Sequence, residues 1–314
     1  VDLDLRLVRH FIVVADELHF SRAAATLHIS QPALSKDIRH LEADLGFRLL
    51  SRDSRHVALT PEGTRFLRDA RALIAQAVRM THPEDDGIRM AHIFDLDTSR
   101  LVADAFSERF PEIPVMASSM DSRRQFDALL AGLLDVAIIR LTPEMSAAHP
   151  TGWRHAPLRL EPFWLVRRSG DVGTGTSTAS LFASPLQVFG DPTGTATFNV
   201  HGQYLAALEQ RLAVPFRWLG NPGTFEHCRA RMQRMTDDAV LLEFESYAFR
   251  YRQVGMPIHR PAELQPVYPW SLVWRDEPAA ARVSDFVEVA QDLAQTLGWL
   301  TPESAAPLWQ PGVL

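Results

Sequence analysis

Cysteine is almost missing from this chain. Cys228 stands alone among 314 residues, which excludes an internal disulfide and makes a reducing, cytoplasmic setting the expectation. Long apolar runs are missing as well. None approaches the roughly 20 residues that a membrane-spanning helix needs, and the first residues do not read as a secretory signal. Lysine is reduced to Lys36 among 32 basic residues, a bias toward arginine that a GC-rich genome explains most simply. Catalytic signatures are absent too: there is no Walker phosphate loop, no HExxH zinc helix and no GxSxG elbow. The glycines of GDVGTGTST (170–178) follow no apolar strand, so they read as a loop rather than a nucleotide cradle. The 12 histidines are scattered without ligand spacing. His227 beside Cys228 is a weak metal pair, and His92 and His155 read as hydrogen-bonded structural residues. Together these absences predict a protein that is not an enzyme and needs no cofactor or metal.

A chain of this length is expected to hold two or three domains, and at 46% apolar and 22% charged residues it can bury sizeable cores. The net charge of −6 argues at first against a nucleic-acid partner. Its distribution argues less strongly. Residues 1–79 carry 12 basic and 10 acidic side chains, so the acidity belongs to the remainder.

The most informative stretch is FSRAAATLHISQPALSKDIRHLEADLG, residues 20–46. It predicts two short helices joined by a tight turn at His28-Ile29-Ser30. Ser21 is the expected cap of the first, with Ala23, Ala24 and Leu27 apolar. Ser30 caps the second, Pro32 occupies its first turn, and Gly46 ends it. Leu34, Ile38, Leu41 and Leu45 fall on one face. The opposite face offers Gln31, Ser35, Lys36 and Arg39, side chains able to donate to base edges and phosphates in a major groove. An amphipathic helix pair with a merely solvated polar face is the competing reading. FRLLSRDSRHVALTPEG follows and predicts a small hairpin with Arg52 and Arg55 at its tip, placed to meet phosphates.

Residues 5–63, from LRxxRHFxxVADELHF through the helix pair to LTPEG, closely resemble the DNA-binding domain of LysR-type transcriptional regulators. The resemblance implies an α/β protein with an N-terminal winged helix-turn-helix (1–59), a linker and dimerisation helix (60–82), and a two-lobed, periplasmic-binding-protein-like sensor (88–302). Lobe I is expected at 88–162 and 268–302, and lobe II at 163–267. DNA contact is expected from Ser30, Gln31, Pro32, Ser35, Lys36, Arg39, Arg52 and Arg55. Double-stranded operator DNA and a second copy of the chain are the implied partners, with a homotetramer by analogy.

The residues of the later regions support this plan. Thr60-Pro61-Glu62 is a helix start, and Phe66, Ala70, Leu73, Ala77 and Met80, flanked by Leu67, Ile74 and Val78, make an apolar seam too broad to stay exposed. It either docks on its own chain or pairs with a twin. The Pro/Gly-bounded 82–87 is a hinge. From Ile88 strand-like runs alternate with amphipathic helices, which predicts a mostly parallel sheet, with FWLVRR (163–168) and PWSLVW (269–274) crossing between two lobes.

Ligands of such sheets sit beyond the carboxyl ends of the strands. That places Phe94, Asp95, Thr98, Ser99, Ser119, Ser122, Phe189, Thr197, Phe198 and Asn221 as effector-binding candidates. The family resemblance assigns a polar contact to Ser122 and counterparts to Thr197 and Phe198. Two departures stand out: Phe94-Asp95-Leu96-Asp97 replaces the usual small polar residue after the first strand, and Thr236-Asp237-Asp238 replaces a glycine-rich turn. Asp95 and Asp97 would oppose an anion, and the phenylalanines would line an apolar wall. The expected effector is therefore neutral or amine-bearing with an apolar body. If the aspartates face solvent, an acid is admitted instead. A plain small-molecule binding protein whose N-terminal helices serve only oligomerisation is the alternative function.

Overall fold

The computed structural model describes residues 3–27, 29–52, 57–81, 87–93, 96–168, 186–192, 199–220, 224–236, 239–276 and 281–312. Two compact units share the chain, one built on Val1–Asp86 and the other on Gly87–Leu129 with Leu134–Leu314. Among the described residues no helix is long and apolar enough to cross a membrane.

The first unit begins with α1 (Leu5–Glu17), capped by Asp4, whose carboxylate accepts from the Arg6 N–H. Its apolar positions Leu7, Val8, Phe11, Val14 and Ala15 are buried. Helix α2 (Phe20–Thr26) is capped by His19, not by Ser21. The reason is Phe20: burying its ring draws it into the helix, so the cap moves one residue back and Ser21 lies exposed in the first turn. Helix α3 (Gln31–Leu45) has the expected ends, with the Ser30 hydroxyl accepting from Ala33 N–H and Gly46 left-handed at φ 77°. Leu34, Ile38 and Leu41 are buried against α1 and α2. The expected turn residue His28 lies outside the described residues.

Strands β1 (Leu50–Arg52) and β2 (Val57–Leu59) pair antiparallel, Leu50 opposite Leu59. Glu42 of α3 holds the root of this wing, accepting from the N–H groups of Leu49 (2.9 Å) and Leu50 (3.1 Å). Helix α4 (Pro61–Thr81) starts on Thr60, whose hydroxyl accepts from Gly63 N–H and donates to the Arg48 carbonyl. Its apolar seam divides. Phe66, Leu67, Ala70 and Ile74 dock on the core of their own unit, with the Phe66 ring 5.5 Å from that of Phe11, whereas Leu73 is exposed.

In the second unit, β3 (Ile88–His92) and β4 (Val115–Ser119) pair parallel around α5 (Asp97–Arg109). Helix α6 (Ser122–Leu130), strand β5 (Val136–Ile139) and helix α7 (Pro143–Ala148) follow. A bidentate ion pair between Arg89 and the buried Asp135 ties β3 to the approach of β5. Strand β6 (Trp153–Arg167) is 15 residues long and begins well before the expected crossing at 163–168. Pro157 sits at a bulge, where the register with the partner strand skips Leu158, a position that tolerates a missing N–H.

The second lobe contains β7 (Leu186–Val188), α8 (Asn199–Leu212), β8 (Phe216–Trp218), α9 (Phe225–Met232), β9 (Val240–Phe244), α10 (Glu245–Gln253) and β10 (Ile258–His259). Strand β9 runs into α10 with no intervening residue and no side-chain cap, so no start signal marked this helix. Strand β11 (Gln265–Arg275) returns antiparallel to β6, and α11 (Ala281–Thr296) and β12 (Leu308–Trp309) close the unit. The large sheet runs β12-β11-β6-β9-β7-β8, with β5 on β11 and β10 on β6. Pairing is parallel within each half (β3 with β4, β7 with β8 and β9) and antiparallel where β6 and β11 cross, so the sheet is mixed rather than mostly parallel.

Gly63 is required by space. A Cβ there would lie 1.9 Å from the Leu49 carbonyl oxygen, so Gly63→Ala must force α4 away from the wing root. It should destabilise the first unit by about 1–3 kcal/mol, read as a lower midpoint in urea denaturation.

Candidate DNA-reading face and effector cavity

Helix α3 turns its buried stripe inward and leaves Ser30, Gln31, Pro32, Lys36 and Arg39 exposed, with Ser35 half-buried. The Arg39 Nε donates to the Ser35 carbonyl at 3.2 Å, which holds the guanidinium along the helix face. Asp37, the acid within this stretch, is turned toward α1, where it accepts from His10 (2.8 Å) and Arg6 (3.1 Å). The outward face thus keeps its donors and positive charge. Arg52 ends β1, and Arg55 lies outside the described residues.

In the second unit a cavity of about 40 Å³ lies where the two lobes meet, lined by Ile93, Leu96, Asp121, Ser122, Phe163, Phe189, Val200, His201, Leu242, Glu243, Phe244, Tyr247, Tyr268 and Trp270. This is room for a few waters. Its walls are aromatic: Phe163 stacks on Phe244 at 4.7 Å, Phe244 meets Tyr268 edge-on at 5.2 Å, and Tyr268 lies 4.8 Å from Trp270. Of the effector candidates, Ser122 and Phe189 line it. Thr98 is buried elsewhere, accepting from Arg159 at 2.9 Å. Ser99 borders a separate open groove beside α5, and Ser119 is exposed at the end of β4. Phe94, Asp95, Thr197, Phe198 and Asn221 lie outside the described residues. Asp97 pairs with Arg100 on the surface of α5 and is not among the cavity residues. The carboxyls that do line it, Asp121 and Glu243, were not expected. For Glu243 the signal was present: a lone acid inside the apolar run AVLLEF (239–244), every residue of which is buried.

The polar groups of this region fall into two sets. Glu161 is fully partnered, accepting from the Ser246 N–H (3.1 Å) and hydroxyl (2.7 Å) and from Trp270 Nε1 (2.7 Å). Arg159 joins Thr98 to Glu245 (3.0 Å) and lies over the Trp299 ring. The second set is under-partnered. Glu243 Oε1 accepts from Phe244 N–H at 3.0 Å, and burial, reinforced by Glu161, pushes its pKa up to about 8. His201 Nε2 meets the Phe189 carbonyl at 3.1 Å, so that nitrogen carries the proton and Nδ1 is an acceptor without a partner. Burial lowers its pKa to about 4. Asp121 Oδ2 also lacks a hydrogen bond, and burial raises this carboxyl despite the Arg124 N–H on its other oxygen. Among the described residues no group of three His, Cys, Asp or Glu is placed to hold a metal.

The fold and these two surfaces define a winged helix-turn-helix protein joined to a two-lobed ligand sensor. Family models match residues 5–64 as a bacterial regulatory helix-turn-helix protein of the lysR family and residues 88–218 as a LysR substrate binding domain. The chain is 37% identical over 212 residues to YnfL, an uncharacterized HTH-type transcriptional regulator of Escherichia coli (strain K12), a match that spans 63% of this chain and 70% of that one. It is 27% identical over 300 residues to the HTH-type transcriptional regulator IlvR of Caulobacter vibrioides, covering 92% and 98% of the two. Full-length CbnR solved with its target DNA is similar at 25% identity and a TM-score of 0.60, over 93% of this chain and 100% of that chain. The chain belongs to the LysR family of DNA-binding transcriptional regulators, which are not enzymes.

The buried groups set a pH dependence. Glu243 holds its proton to about 8 in the fold against a usual 4.5, so the native state binds the extra proton and stability falls as pH rises through that window. His201 works the other way: with a folded value of about 4 against 6.5, stability falls as pH drops from 6.5 to 4. Glu243→Gln should therefore flatten the slope between pH 6.5 and 8, raise the thermal midpoint at pH 8 relative to wild type, and steepen the loss below pH 6.5, where the two groups offset each other in the wild type. Thermal denaturation from pH 4 to 9 checks this.

Proposed function

We propose that this protein is a cytoplasmic regulator that reads a twofold-symmetric DNA site as a dimer and changes its activity when a small molecule occupies the cavity of the second unit. The observation that carries the DNA reading is the outward face of α3, where Gln31, Lys36 and Arg39 are exposed while the neighbouring acid Asp37 is turned away. Ser30, Pro32 and Ser35 complete that face, and Arg52 and Arg55 of the wing would meet flanking phosphates. Dimerisation would use α4 beyond the part docked on its own unit, around Leu73 and Ala77, and a tetramer would follow the family pattern. The effector would be neutral or amine-bearing with an apolar body. Support for this comes from the aromatic walls and from Asp121 and Glu243 facing a cavity that no described lysine or arginine lines. Because the closed cavity holds only about 40 Å³, binding requires the lobes or the aromatic side chains to part, which couples occupancy to conformation.

Replacing Ser35 and Arg39 together by alanine should cost about 1–3 kcal/mol for each base that is no longer read and erase the preference for the operator over bulk DNA. Arg52→Ala should instead weaken all DNA alike and lessen the salt dependence. Gel retardation against genomic fragments, repeated at two salt concentrations, separates these effects. Unchanged operator affinity in the double variant would refute the assignment of α3. In sedimentation, Leu73→Glu with Ala77→Glu should shift a dimer toward monomer, and a monomeric wild type at micromolar concentration would defeat the dimer.

A further inference from the structure

The cavity of the second unit holds buried acceptors that no hydrogen bond meets. Among the described residues its polar lining consists of Asp121, Ser122, His201 and Glu243, with the phenols of Tyr247 and Tyr268. Asp121 Oδ2 and His201 Nδ1 are buried acceptors with no hydrogen bond, and Glu243 uses one carboxyl oxygen on the Phe244 N–H. Three nearby donors are already committed: Trp270 Nε1 to Glu161, Tyr204 hydroxyl to the Val267 carbonyl, and His201 Nε2 to the Phe189 carbonyl; the Tyr251 hydroxyl, near Glu243, is buried without a hydrogen bond. Around these acceptors stand the faces and edges of Phe163, Phe244, Tyr247, Tyr268 and Trp270. Acceptors that lack donors, inside walls of negative π-face potential, complement a ligand group that is all donor and positively charged.

We propose that the cavity selects an organic ammonium ion with an aromatic or other apolar body, held by Glu243 as counter-ion with His201 Nδ1 as a second acceptor. This rests on the cavity being the effector site. Glu243 is the acid suited to the role because it is the one without a cation of its own. Glu161 has Arg159 at 3.8 Å and Asp121 has Arg124 at 3.6 Å, whereas no described basic group pairs with Glu243. The groups facing it from neighbouring elements are Glu161 of β6, Tyr251 of α10 and the Phe244 N–H. Tyr251 in turn feels Cys228, Tyr247 and Arg229. Arg140, whose charge acts on His201, is held at the Val200 carbonyl and over the rings of Tyr204 and Tyr268.

A proton balance follows. The carboxyl enters the complex as the acid, whose proton burial retains to about pH 8, and leaves it as the carboxylate paired with the ammonium. The proton passes to solvent, so binding at neutral pH releases close to one proton per ligand. Affinity then rises about tenfold from pH 6 to pH 7 and levels off above the carboxyl's own range.

The test uses the full-length protein and three probes of one shape: 2-phenylethylammonium, 2-phenylethanol and phenylacetate. Calorimetry at pH 7 in phosphate and in Tris, whose ionisation heats differ, reads both affinity and proton release. The amine should bind at least tenfold more tightly than the alcohol or the acid, with release of nearly one proton. Glu243→Gln should abolish both the preference and the release, its thermal midpoint confirming that it folds. Silence from the amine, or amine binding without proton release and unchanged in Glu243→Gln, overturns the ammonium assignment. Binding of the alcohol or the acid in preference, abolished by the cavity-filling Val200→Trp, also overturns it but keeps the cavity as the effector site. Binding of any probe that Val200→Trp leaves intact removes the cavity itself.

Discussion

The second unit depends on one antiparallel pairing, that of β6 with β11. Nine residue pairs join Trp153–Pro162 to Val267–Arg275, and both halves of the large sheet are hung on these two strands. The effect on the cavity is direct, since Glu161 and Phe163 come from one strand and Tyr268 and Trp270 from the other. A slip of one residue would exchange the faces of either strand, sending Phe163 and Tyr268 out of the aromatic cluster and Glu161 away from Trp270 and Ser246. The bulge at Leu158 sharpens the local twist, and it falls where the strand leaves β5's neighbourhood for the second lobe.

Burying charge in such a place is costly unless each group is met. Arg159, Glu161, Glu245, Thr98, Ser246 and Trp270 meet one another almost completely, and removing one member would strand the others in a low-dielectric interior. That network therefore behaves as scaffold. His201, Asp121 and Glu243 do not meet partners in the same way, although they lie among the same aromatic rings. Native interiors rarely leave buried acceptors idle, and the contrast between the two sets is what distinguishes a structural polar cluster from one that waits for something.

Legibility from the sequence followed the range of the interactions involved. The helix pair was readable because its determinants are local: Ser30 and Gly46 act on backbone groups a few residues away, and Leu34, Ile38 and Leu41 share a face by periodicity alone. Thr60-Pro61 announced α4 for the same reason. Where a local signal competed with packing it misled, as at Ser21, which lost the cap to His19 once Phe20 was buried. The cavity was legible only at Ser122 and Phe189, which sit at the ends of elements. Phe163, His201, Glu243 and Tyr268 belong to the interiors of strands and a helix, far apart in the chain. Only the order of strands in the sheet brings them together, and neither period nor cap encodes that order.

The Leu49 carbonyl oxygen joins two parts that are usually described separately. It receives the Thr60 N–H at 3.0 Å and lies against Gly63, while Glu42 of the reading helix holds the N–H of the same residue. Recognition helix, wing and linker thus share a fulcrum only a few atoms across. Helix α4 is the arm of that lever: 21 residues extend about 30 Å at 1.5 Å per residue. By the same length, a pivot of about 5° at Leu49 sweeps the far end through roughly 3 Å. Run in reverse, a displacement of that size at the end of the arm reaches the reading head as a rotation of a few degrees. The join lacks the slack that would let the wing stay behind.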